Sequence, residues 1–168
     1  MEKYTEEEWK TISYLPQGIG YLMGGAGNEK LFGSSSEKLI VSTLLLSAWK
    51  EYPDNTLIKS IITNPENFNQ FFENAKSHLA YVMFLIEKHS IKTTKNFLTI
   101  ILNDCTKVLD IIKTKESQKD INEYKSWLLD IALKVANETK EGSFLGFGGE
   151  RFSEEEQRIY KKLELILK

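Results

Sequence analysis

The chain holds one cysteine, two histidines, three prolines and, beside 20 lysines, two arginines. Each scarcity removes a class of chemistry. Cys105 has no second cysteine with which to close an internal disulfide, which fits a reducing compartment such as the cytoplasm. It lies within an apolar helical pattern and is expected to be a small buried hydrophobe. His78 and His89 fall 11 residues apart on one predicted helix. At a rise of about 1.5 Å per residue they stand roughly 16 Å from each other and cannot share a metal ion. No Glu-x-x-His occurs, so the usual di-iron carboxylate bundle is excluded. No metal site, cofactor or catalytic residue is expected. Bidentate guanidinium clamps on carboxylate or phosphate can come only from Arg151 and Arg158.

Strong charge of either sign is also missing. The net charge of -2 and a pI near 5.8 supply no basic field over nucleic acid phosphates, and nucleic acid is not an expected partner. The lysines of KHSIKTTKNF, residues 88–97, surround a predicted interhelical turn and its threonine cap. The longest strongly apolar run, Leu39 to Trp49 between Lys38 and Lys50, is far short of the roughly 20 residues that span a bilayer. Residues 11–28 are uncharged but carry Pro16 and five glycines, which does not suit a membrane span. The opening MEKYTEEEWK is charged where a cleavable leader needs an apolar core, so neither a leader nor a membrane partner is expected.

Helical periodicity recurs from end to end of the 168 residues, at 41% apolar and 27% charged composition. The expectation is an all-α, single-domain bundle of about seven to eight helices over residues 1–168. Thr5 and Glu8 form a capping box with Tyr4 and Trp9 at the staple positions. This first helix is expected to yield near Pro16, which would open a second, glycine-rich segment. Ser34 and Glu37 suggest another capping box. The helix of about residues 35–52 that follows is apolar nearly all round and is expected at the centre of the bundle. Pro53 ends it, Asp54 can cap a short helix, and Asn64-Pro65 offers the next cap. Three stripes follow: Phe68, Phe71, Phe72, Ala75, Leu79, Val82, Met83 and Ile86; Leu98, Ile101, Leu102, Cys105, Leu109 and Ile112; Ile121, Tyr124, Trp127, Leu128, Ile131 and Val135. At about 1.5–3 kcal/mol for each fully buried side chain, they suffice for a core.

The unusual stretch is EGSFLGFGGERFSEEE, residues 141–156, a glycine-rich loop over 142–152 before a Ser-capped helix over 153–167. A phosphate loop would show GxxxxGK[ST], or GxGxxG between strand and helix. Gly146 and Gly148 match the first two glycines of the latter, but Arg151 stands at the third and a helix precedes. Glu154, Glu155 and Glu156 already answer the partial positive charge of the last helix's N-terminus. Gly142 can close the preceding helix. Phe144, Leu145 and Phe147 are then expected to fold back as a plug, or to dock on a second subunit, with Gly146, Gly148 and Gly149 permitting the turns. The candidate binding residues are therefore Phe144, Gly146, Phe147, Gly148, Gly149 and Arg151. Asp104-Cys105 with a histidine lacks the electropositive setting of a reactive thiol, and Ser34-Ser35-Ser36 lacks the GxSxG context of a nucleophile.

The EGSFLGFGG run before an acidic capped helix, with the TEEEW opening and nearby Pro16, resembles an uncharacterised family of small prokaryotic helical proteins that carry EGGFLGFGG-like C-terminal segments. The resemblance covers the two ends, Ser143 departs from the more glycine-rich form, and it implies no catalytic residue. The resulting expectation is a noncatalytic interaction or structural module, as a homodimer or with a protein partner. The alternative is a small-molecule or anion-binding protein, or an enzyme, with a pocket near residues 142–151.

Overall fold

The computed structural model describes residues 3–26, 35–64, 66–138 and 153–168, which form seven α-helices with no strand among them. They are α1 (Glu6–Gly24), α2 (Ser35–Glu51), α3 (Thr56–Ile62), α4 (Phe68–Lys88), α5 (Thr94–Ile112), α6 (Gln118–Glu138) and α7 (Glu154–Leu167). The all-α bundle expected from periodicity is what forms, around a single apolar core.

The bundle is organised around α1. Its start follows the predicted signals: Thr5 Oγ1 accepts from the Glu8 amide at 3.2 Å, the Thr5 amide donates to the Glu8 carboxylate at 2.8 Å, and the Tyr4 and Trp9 rings lie 5.8 Å apart. The helix then runs straight through Pro16, where a break was expected, and every residue from Thr11 to Gly24 is buried. Proline has no N–H to give the carbonyl four residues earlier, so Ile12 is left with an orphaned acceptor in the core. Tyr124 of α6 fills the gap: its hydroxyl donates to the Ile12 carbonyl at 2.9 Å. The tertiary contact replaces the missing helical bond and lets the helix continue.

The glycines of α1 have a related explanation. Each weakens a helix by about 1 kcal/mol relative to alanine unless the missing side chain lets a neighbour pack closely. At Gly20 a Cβ would stand 2.7 Å from Val41 Cγ2 and 2.9 Å from its Cγ1, and at Gly18 it would stand 2.9 Å from Ile101 Cδ1. α2 and α5 thus approach α1 where its side chains vanish. With α4 and α6 on its remaining sides, α1 is the central helix. That place was expected for α2, whose apolar residues encircle it in sequence; instead Leu46 and Trp49 are half-buried and Thr43 is exposed.

The other helix starts are set by side-chain caps. Asn55, not Asp54, caps α3: its Oδ1 accepts from the Ile58 amide at 2.9 Å, and its Nδ2 donates to the Asp120 carbonyl at 3.1 Å and to Glu123 at 2.9 Å. One buried side chain therefore both starts α3 and ties it to α6. Asn67, three residues beyond the expected Asn64, caps α4 through the Gln70 amide at 3.2 Å. Thr93 caps α5, Ser117 bonds the Asp120 amide at 3.1 Å, and Ser153 with Glu156 forms a capping box on α7. α7 lays Ile159, Leu163 and Leu167 against α5 and α6.

Removing the Tyr124 hydroxyl strands the Ile12 carbonyl, so Tyr124→Phe is expected to cost about 1–3 kcal/mol in urea unfolding. In a Pro16→Ala background the restored amide satisfies that carbonyl, and the same substitution should cost less. Equal costs in both backgrounds would contradict the assignment.

Candidate functional site

The six residues singled out in the glycine-rich segment, Phe144, Gly146, Phe147, Gly148, Gly149 and Arg151, lie outside the described residues, as do the Ser34 of the proposed second capping box and Pro65. Arg158, the other arginine, pairs with Glu155 at 2.6 Å on the surface of α7.

The groups tested for nucleophilic chemistry are held in unreactive states. Cys105 is fully buried, and burial, reinforced by the charge of neighbouring Asp104, pushes its thiol up to about 12. Asp104 is itself raised by burial and accepts a hydrogen bond from the Tyr14 hydroxyl. Burial lowers the His78 imidazole to about 4, so it is neutral at pH 7. His78 borders a void of about 10 Å³ with Ser13, Asn74 and apolar side chains of α2, α3 and α4, room for no more than one water. No group of three metal-ligating side chains occurs among the described residues.

A larger cleft of about 500 Å³ opens where the start of α1 meets α3 and the α5–α6 turn. Tyr4, Trp9, Leu57, Thr56 and Ser60 line it beside Lys3, Glu6 and Glu116. Its carboxylates are already paired: Glu116, largely buried, accepts from the Tyr4 hydroxyl and from Lys3 at 2.7 Å, and Glu6 binds Lys10, outside the cleft, at 2.5 Å. Lys115 lies 5.0 Å from the Tyr4 ring centroid and 2.7 Å from Glu8. The network fastens the first turn of α1 to the α5–α6 turn.

The outward face of α4 differs in kind. The sequence stripe assigns Phe68, Phe71, Phe72, Ala75, Leu79, Val82, Met83 and Ile86 to the core, yet Phe71 and Val82 are buried while Phe72 and Met83 are 51% and 49% exposed. The reason is position. Among the described residues α4 packs chiefly on α1, and Phe71, Val82 and Leu85 are buried. Leu79 and Ile86 are partly buried against the core, and Phe72 and Met83 are turned outward. Phe84, which the stripe omits, is 51% exposed, stacked on Tyr81 at 5.9 Å and approached by Lys88 at 5.6 Å. Tyr81 in turn meets Tyr14 edge-on at 5.1 Å, so the surface aromatics rest on the central helix. The sequence signal for this face is the width of the apolar arc: Phe72, Met83 and Phe84 extend it beyond what the neighbouring helices cover.

At pH 8 the native protein should leave Cys105 unmodified by Ellman's reagent for the duration of a minutes-long assay, and react stoichiometrically once unfolded. Rapid labelling without denaturant would show that the thiol is accessible and ionised. In comparisons with known protein families, curated proteins and solved structures, nothing matches this chain.

Proposed function

We propose that this chain is a noncatalytic helical protein-interaction module of the prokaryotic cytoplasm and that its contact surface is the outer face of α4. The observation that carries the reading is the half-exposure of Met83 and Phe84 on a helix that, among the described residues, packs chiefly on α1. Large apolar side chains grouped on one exposed face cost free energy in water and are characteristic of contact surfaces. Methionine and aromatic residues suit such a surface, because the flexible thioether adapts its shape and the ring offers large area at little rotamer cost. The buried thiol and the imidazole whose basicity burial weakens favour a noncatalytic reading, and a free cysteine suits a reducing compartment.

The cleft beside Tyr4 and Trp9 favours a second reading as a small-ligand site, since about 500 Å³ is within the usual range for one. The pairing of Glu116 with Lys3 and Tyr4, and of Glu6 with Lys10, weighs against it: a ligand's polar groups would have to break those pairs.

The test is photo-crosslinking in cells. A benzophenone side chain in place of Met83 should yield discrete protein adducts that are absent when the same group replaces Ser126, an exposed position on α6. Equal, featureless labelling from both positions would remove the reading.

A further inference from the structure

We propose that the occupant of the α4 face is a second copy of this chain, docked with its own α4 antiparallel to the first. The inference rests on the interaction reading above and names its partner. Lys76, Ala80, Met83 and Glu87 are all exposed. Their spacing of four, three and four residues places them within an arc of about 60° at 100° per residue, a single seam along the helix. The seam is self-complementary. It carries a cation toward its N-terminal end, an anion toward its C-terminal end, and one small and one flexible apolar residue between them.

In an antiparallel pair, aligning Lys76 with the partner's Glu87 brings Ala80 level with the partner's Met83. The two-fold axis repeats both contacts. The two ion pairs then lie about 16 Å apart at 1.5 Å per residue, one at each end of the apolar contact. A parallel arrangement in register would set Lys76 against Lys76 and Glu87 against Glu87, so the charges choose the direction. Alanine at position 80 lets the helices approach, and Met83 is the side chain best able to fill the space above it. Phe84 flanks the seam.

The groups are available. Glu87 makes no ion pair among the described residues, and the contacts of Lys76 are with exposed neighbours on its own helix, Glu73 at 2.9 Å and the Phe72 ring at 5.5 Å from its centroid. Such surface pairs are worth about 0–1 kcal/mol and exchange readily. A different protein would need to supply both charges in the reverse order; a second copy does so by symmetry. A single helix pair is a small interface, so the dimer is expected to be weak and to form with rising concentration.

Sedimentation equilibrium of the full chain over a concentration series tests this, with thermal melts confirming that each variant folds. Lys76→Glu and Glu87→Lys, made singly, set like charges opposite each other and should each weaken dimerisation at least about tenfold. The double variant Lys76→Glu/Glu87→Lys restores opposite charges across the seam and should recover association to within about threefold of the original. A dimer indifferent to the single reversals, or a double variant no better than either single one, would overturn this geometry. So would a mass that stays monomeric at every concentration. In that case, crosslinks from position 83 to other proteins would leave the interaction reading standing, and their absence would remove it too.

Discussion

The hydrogen bond from Tyr124 to the Ile12 carbonyl is the contact on which the arrangement of this bundle turns. Pro16 opens a hole in the backbone ladder of a helix that is buried from Thr11 onward. An unpaired carbonyl in that position costs enough to break the helix or expel it from the core. A phenol from a neighbouring helix, itself fully buried, closes the hole, and in doing so sets the height at which α6 meets α1. Because Tyr4 also reaches Glu116 ahead of α6, the two helices are pinned at their starts as well as midway.

Once α1 is the axis, its glycines become packing residues. Propensity alone argues against a helix through Gly18, Gly20 and Gly24. What sustains it is the closeness of α2 and α5: at Gly20 even a methyl group would drive into the branched side chain of Val41, which has little rotamer freedom to yield. The price of that central position is that α4, on one flank, has only part of its apolar arc covered. The exposed Met83 and Phe84 follow from how the bundle is built around α1, and the proposed self-association makes use of them.

Much of this architecture is legible in the sequence, and the exceptions share a cause. The capping boxes at Thr5 and Ser153 and the stripes of α5 and α6 depend on neighbours a turn or two away, and periodicity finds them. The continuity of α1 through Pro16 depends on a tyrosine more than a hundred residues later in the chain, which no local pattern signals. The choice of α1 over α2 as the buried centre likewise rests on side chains packed against the bare Cα of Gly18 and Gly20, where hydropathy registers nothing. On α4 the apolar stripe is read correctly as apolar, but its fate depends on how many helices stand beside it. Asn55 displaces Asp54 as a cap because its amide can accept from α3 and donate to α6 at once, which a carboxylate cannot.

The central claim is that the glycine-rich half of α1, weak by intrinsic propensity, is the most firmly held part of the protein. Native-state hydrogen exchange of the amides from Gly18 to Leu22 tests it most directly. The account predicts that they exchange only through global unfolding, with protection equal to the stability measured by denaturant and no less than that of the α5 and α6 amides. Exchange through a low-energy local opening of that half, while α5 and α6 remain protected, would contradict it.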